Sequence, residues 1–151
     1  MKTRKAVGAI IVNKKNDVLL AHKVKIMDGN NPKTISEWDF IKGGMKEGED
    51  TNVALKRELL EEANIKDYVS IEELPEFLFE FSNELKNILK YDNQVTYFFK
   101  VLVDTDKADI RPDFDEVDEL RFVSVNEAFD LIYHDTSKTY LKKLIDKGLL
   151  V

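Results

Sequence analysis

The sequence predicts an α/β (α+β) fold with helices packed on a mixed β-sheet. Two observations carry that expectation. Short aliphatic and aromatic runs lie on both sides of one long helix-forming segment, and the 151 residues contain no internal repeat, linker or low-complexity tail. A chain of this length can bury one ordinary core, so residues 1–151 are expected to form a single domain.

AVGAIIV (Ala6 to Val12) and VLLAHKV (Val18 to Val24) flank NKKND, whose Asn and Asp favour a turn, so a hairpin is expected. Lys25 to Glu37 is polar, holds Gly29 and Pro32, has no period, and is expected to be a long loop. WDFI then leads as an extended segment into Gly43 and Gly44. Thr51 to Ala63 is free of Gly and Pro and should be helical, with Asn64 as a left-handed C-terminal residue. Val95 to Val103 and Glu119 to Val125 have strand character, with an acidic loop between them. Ser124 and Glu127 form a capping box for a helix through about Tyr133, and a last helix, Ser137 to Lys147, should end at Gly148. Residues 66–94 receive no element on these criteria.

A hydrophobic content of 43% with 34% charged residues is a globular balance, and no apolar run approaches the ~20 residues of a membrane span. The N-terminal apolar run is interrupted by Asn13, Lys14 and Lys15, which suits a first strand better than a signal peptide. The absence of cysteine excludes disulfides, zinc-thiolate centres and thiol nucleophiles, and fits a cytoplasmic location. A net charge of −6 disfavours broad binding to polyanions.

Glu58, Glu61 and Glu62 are spaced i, i+3 and i+4, so a helix brings them to one face, where like charges repel. A solvated helix face accounts for such a pattern by itself. So does a site for a hard divalent cation, which takes oxygen ligands from several carboxylates. Gly43, Glu49, Arg57-Glu58, Leu59, Glu61-Glu62, Asn64 and Ile65 together resemble the Nudix hydrolase signature, with Asn64 where that family has Gly.

The resemblance implies a Nudix-type α/β/α sandwich. It implies Mg²⁺, or Mn²⁺ in its place, held by Glu58, Glu61, Glu62 and the main-chain carbonyl at Gly43, with Glu49 and Arg57 as a supporting pair. Glu58 is then the first choice as general base. Glu116 is the second choice, and an additional metal ligand, because relatives carry a carboxylate before the corresponding strand.

WDFIKGG, YDNQVTYFF and EVDELRFVS look like the branch of diadenosine tetraphosphate hydrolases and bacterial RNA 5′-pyrophosphohydrolases, although Ile41 stands where that branch has Pro. Trp38, Phe40 and Tyr97 are candidates to stack on a base, and Arg4, Lys23 and Lys42 to hold phosphate oxygens. His22 and His134 have no metal-ligand spacing and are expected to be incidental.

The leading expectation is an Mg²⁺-dependent pyrophosphohydrolase that cleaves a nucleoside diphosphate linked to another moiety, most readily a dinucleoside polyphosphate such as diadenosine tetraphosphate. RNA 5′-pyrophosphohydrolase activity is the alternative with the same chemistry. A non-catalytic Nudix-fold nucleotide-binding regulator and a structural protein with an acidic helix are the alternatives of other classes. The expected partners are a small nucleotide or an RNA 5′ end, with no DNA and no membrane, for a monomer or homodimer.

Overall fold

The computed structural model describes residues 2–28 and 30–150, which form a mixed sheet between two helical layers. Strand β1 (Thr3–Val12) runs through its centre. It pairs in parallel with β7 (Asn93–Leu102) over its whole length and antiparallel with the short β4 (Ile41–Gly44) on its other side. Strand β2 (Val18–Asp28) meets β1 at Val12 and Val18, and pairs antiparallel with both β3 (Asn31–Asp39) and β8 (Val117–Val123). Strands β5 (Ser70–Glu73) and β6 (Phe77–Glu80) share the far edge of β7.

The period of two in β1 divides the core. Ala9 and Ile11 face helix α1 (Thr51–Ala63), where they meet Leu55, Leu59 and Phe99. Ile10 and Val12 face the opposite layer, built from α3 (Val125–Leu131) and α4 (Asp135–Asp146), where they meet Phe40, Ala128, Tyr140 and Leu141. The Cβ that Gly8 lacks would stand 2.5 Å from the Phe98 ring, so a side chain there would collide with this second core.

Helix α1 has the predicted limits. The Asp50 side chain accepts a hydrogen bond from the Val53 N–H at 2.8 Å, and Asn64 closes the helix at φ 57°. Its Nδ2 also donates to the Asp109 carbonyl at 2.8 Å, a contact the family's glycine cannot make. Ser124 caps α3, and Gly148, at φ 70°, follows α4 as expected.

Two expectations need correction. Lys25 to Glu37 is not a loop: β2 and β3 extend through it as a hairpin, with Lys25 opposite Thr34 and Met27 opposite Pro32. Proline and asparagine suppress the strand reading, yet β3 is an edge strand and has room for a residue without an N–H. Gly29, counted in that loop, lies outside the described residues. Residues 66–94 hold β5, β6 and α2 (Asn83–Leu89), all too short to show a period. No helix among the described residues is long and apolar enough to cross a membrane.

Replacing Asn64 by Gly should leave stability within about 1 kcal/mol, since Gly adopts the left-handed conformation freely. Asn64→Ala should lower it by about 1–2 kcal/mol, the usual penalty for a Cβ at positive φ. Urea unfolding of the two variants checks the order.

Candidate active site

Gly43 and Glu58 meet where β4 passes under α1. A Cβ on Gly43 would lie 2.1 Å from Glu58 Oε1, so only glycine lets this carboxyl settle against the strand. Arg57, the neighbouring residue, ties the loop to the helix. Its Nε and Nη2 donate to the two oxygens of Glu49 at 2.7 and 2.9 Å, and Nη2 also donates to the Gly44 carbonyl at 3.0 Å. Nη1 reaches Glu58 Oε1 at 2.7 Å and Glu61 Oε2 at 3.3 Å. Glu49 Oε1 accepts a further bond from the Lys46 N–H at 2.7 Å. The Arg57 contact, aided by Lys46, holds the Glu49 carboxyl down at about 2, so it stays charged throughout the working range.

One helical turn on, Glu62 is in a different state. Glu58 and Glu62 are 8% and 5% exposed, whereas the Glu61 side chain is 52% exposed. Burial pushes the Glu62 carboxyl up to about 9 against the pull of Lys23, helped by its hydrogen bond to Glu58 and by the charges of Glu58 and Glu116. At neutral pH Glu62 therefore keeps its proton beside Glu58. Glu62 Oε2 is buried without a hydrogen-bond partner.

An orphaned carboxylate oxygen, a second carboxyl beside it and a third acidic group in electrostatic contact make a donor set suited to a hard cation. Among the described residues no three acidic or imidazole groups converge as a ligand cage, and Arg57 engages both Glu58 and Glu61.

Glu116, just before β8, lies close enough to act electrostatically on Glu58 and Glu62. Its peptide carbonyl accepts from the Val24 N–H at 2.9 Å, which fixes the acidic loop against β2. Desolvation raises its carboxyl above the usual range, followed by the charges of Asp113, Asp115 and Glu58. Lys25 pairs with Asp115 on the same rim.

The other expected residues divide between the two faces of the sheet. Lys23 lies on the carboxylate side, near enough to act on both Glu62 and Asp39. Lys42 points to the opposite face, where its Nζ is 2.9 Å from Asp39 Oδ2 and donates to Ser137 Oγ at 2.7 Å. Arg4 lies over Gly44, with Nη1 donating to Gln94 Oε1 at 2.6 Å.

Phe40 is 0% exposed and packs in the core, so the expectation that it stacks on a base does not fit this structure. Trp38 meets the His22 ring at 4.9 Å between centroids and carries the Arg121 guanidinium over its face at 4.8 Å. Tyr97 packs half-buried against the core under α1. Both histidines have protein partners: His22 with Asp118 and Ser36, His134 with Glu37.

Sequence reasoning passed over Asp39. It is 3% exposed and still ionised, because Lys42 and Lys23, with Ser137, outweigh the burial that opposes its charge. Its only signal in the sequence was an acid inside the otherwise apolar run WDFI.

A NUDIX domain model matches residues 2–144. The chain belongs to the Nudix family. This Nudix chain is 35% identical over 108 residues to the RNA pyrophosphohydrolase of Campylobacter jejuni subsp. jejuni serotype O:23/36 (strain 81-176), covering 70% of itself and 69% of that relative. Its fold is similar to that of a MutT protein from Methanosarcina mazei Go1, with a TM-score of 0.71 at 20% identity over 97% of this chain and 95% of the other. A C. elegans Ap4A hydrolase matches with a TM-score of 0.70 at 17% identity over 97% of this chain and 98% of the other.

The retained proton has a measurable consequence. A carboxyl raised from 4.5 to about 9 on folding binds a proton in the native state that the unfolded chain has lost, so metal-free stability should fall as pH rises across that window. Melting of the metal-free protein between about pH 6 and pH 9 should show the fall. Glu62→Gln, which has no proton to lose, should melt higher at the alkaline end and flatten the profile. Arg57→Ala should lower both activity and melting temperature, because it releases Glu49 and Gly44 as well as Glu58.

Proposed function

We propose that this Nudix hydrolase is an Mg²⁺-dependent pyrophosphohydrolase, acting in the cytoplasm as one domain over residues 1–151, and that its substrate is the 5′-triphosphate end of RNA. The observation that carries the chemistry is the buried Glu58–Glu62 pair with an orphaned oxygen, set against Gly43 and clamped by Arg57. The relative named RNA pyrophosphohydrolase favours RNA over a dinucleoside polyphosphate, since the likeness to the Ap4A hydrolase bears on the fold alone. Diadenosine tetraphosphate remains the second substrate of the same chemistry.

Glu58, Glu61, Glu62, Glu116 and the Gly43 carbonyl would hold the cation, with Mn²⁺ able to replace Mg²⁺. When bound, it supplies charge neutralisation of the pyrophosphate and a lowered pKa for water. Glu58 takes the proton of the attacking water as the new P–O bond forms and the anhydride P–O bond breaks. Its carboxyl is fixed for that task by Arg57 on one side and by the bare backbone of Gly43 on the other. Lys23 and Arg4 are the cations available for phosphate oxygens on the two sides of β4. Lys42, already engaged by Asp39 and Ser137, faces the distal part of the substrate.

Incubation of a 5′-triphosphorylated oligoribonucleotide with Mg²⁺ should yield the 5′-monophosphorylated product and pyrophosphate, identified by mass. Diadenosine tetraphosphate should be cleaved more slowly, to ATP and AMP. Faster turnover of the dinucleotide would reverse the order of substrates, and no turnover of either would remove the reading. Glu58→Gln should lower kcat by about 10²–10⁴-fold with a small change in KM, as loss of a general base does. Glu116→Gln should be milder and partly rescued by raised Mg²⁺. The opposite pattern would move the base to Glu116.

A further inference from the structure

A pocket of about 670 Å³ lies between α2, the start of β1 and the start of β7, and none of the carboxylates of α1 lines it. The two strand ends are joined there: the Lys2 N–H donates to Asp92 Oδ2 and the Lys2 carbonyl accepts from the Asp92 N–H, both at 2.9 Å. Asp92 is the acid of the pocket, and one of its oxygens is thus taken by the main chain.

Helix α2 supplies the opposite wall. Asn83, Lys86, Asn87 and Lys90 are spaced i, i+3, i+4 and i+7, which places them on one side of the helix, and all four line the pocket. Each ends in a hydrogen-bond donor, two of them charged. Leu85, Ile88 and Leu89 lie on the other side of the helix, and Glu84 does not line the pocket.

Lysines at a surface are ordinarily just solvated, and packing usually decides which way a helix turns. Here no residue of α2 is buried, so packing against the domain does not dictate the side that meets the pocket. Three ammonium groups, from Lys2, Lys86 and Lys90, face one carboxylate in a chain whose net charge is −6. The one further acid in reach is Glu80, whose side chain is 74% exposed and whose Oε2 is 3.9 Å from Lys86 Nζ. Among the described residues Lys2 and Lys90 take part in no ion pair.

The position of the pocket along β1 is informative. Arg4 follows Lys2 by two residues, so the two side chains leave the strand on the same side, about 7 Å apart. The Arg4 guanidinium lies against Gly44, and the neighbouring Gly43 lies against Glu58. Cations therefore run from the edge of the carboxylate site along the start of β1 to α2.

We propose that this pocket docks the phosphate backbone of a single RNA strand, taking the nucleotides that follow the 5′ end held at the carboxylates. Lys2, Lys86 and Lys90 hold phosphate oxygens, and the amides of Asn83 and Asn87 donate to phosphate or ribose oxygens. Such contacts position a strand without reading its sequence. The proposal rests on the RNA reading of the carboxylate site and concerns the strand, which the carboxylates do not hold. A bilayer surface is the poorer fit, because a helix lying on lipid carries a broad apolar face into it, whereas the side that meets these lysines is wholly polar.

Anisotropy of a labelled, 5′-monophosphorylated, unstructured RNA of about 12 nucleotides, a usual scale for a single-strand site, tests this on the full chain without turnover. The double variant Lys86→Gln/Lys90→Gln should lower the slope of log affinity against log salt by about 1.4, at ~0.7 per phosphate contact, and weaken binding about tenfold or more at about 0.1 M salt. Lys14→Gln/Lys15→Gln removes the same charge at the other end of β1 and should keep the wild-type slope. Equal slopes in all three chains, each folded by circular dichroism, would overturn the strand site, and so would an equal fall in both variants. Lysine-dependent binding to phosphatidylserine vesicles without lysine-dependent RNA binding would give the pocket to a lipid surface and overturn it as well. A lysine-dependent slope in a protein that releases no pyrophosphate from triphosphorylated RNA would support the strand site while removing the proposed function. Turnover with equal slopes would do the reverse.

Discussion

The Arg57 guanidinium is the point on which the site depends. Five donors in a rigid plane let one side chain hold Glu49 with two bonds, the Gly44 carbonyl with a third, and Glu58 and Glu61 with the rest. Glu49 belongs to the loop after β4 and Glu58 to α1, so the same group sets the distance between strand and helix. A lysine, with a single nitrogen, could not make these contacts in one plane. The clamp is also the reason a turn of helix with three glutamates is tolerable: the charge of Arg57 offsets part of their mutual repulsion.

The remaining repulsion is concentrated in the Glu58–Glu62 pair. Two carboxyls turned toward a core rather than water are a poor choice for stability, because both cannot be charged without an added cation. Here one takes a proton and still leaves an oxygen without a partner. Helix α1 thus joins two requirements on adjacent faces. Leu55, Leu59 and Ala63 anchor it on the sheet, and Glu58 and Glu62 are buried by the same packing. The burial that raises the Glu62 carboxyl follows from the apolar contacts that hold the helix.

The sheet does more than support that helix. Because successive residues of β4 face opposite ways, a strand of four residues presents Gly43 to one layer and Lys42 to the other. Asp39 and Ser137 fix the lysine, and the start of α4 is thereby tied to the strand that carries the glycine. The two faces are joined through Lys23, whose charge acts on both Asp39 and Glu62.

The local features were legible in the sequence for local reasons. The limits of α1, its left-handed Asn64, the Ser124 cap and the glycine after α4 depend on residues within a turn of one another, and so does the i, i+4 approach of Glu58 and Glu62. The Gly43, Glu49 and Arg57 positions were legible as a pattern of spacing. The hairpin through Lys25 to Glu37 was not, because edge pairing with β2 rescues a segment whose proline and asparagine argue against a strand. β5, β6 and α2 were not, because four to seven residues are too few to show a period, and β5 and β6 take their order from β7. Phe40 looked like a stacking group since composition cannot tell a core ring from an exposed one. Which rings line a cavity, which carboxyl keeps a proton, and that Asp39 lies buried beside Lys42 depend on contacts between elements far apart in the chain. Burial and long-range charge exist only once the chain has folded, and only the tertiary structure could decide them.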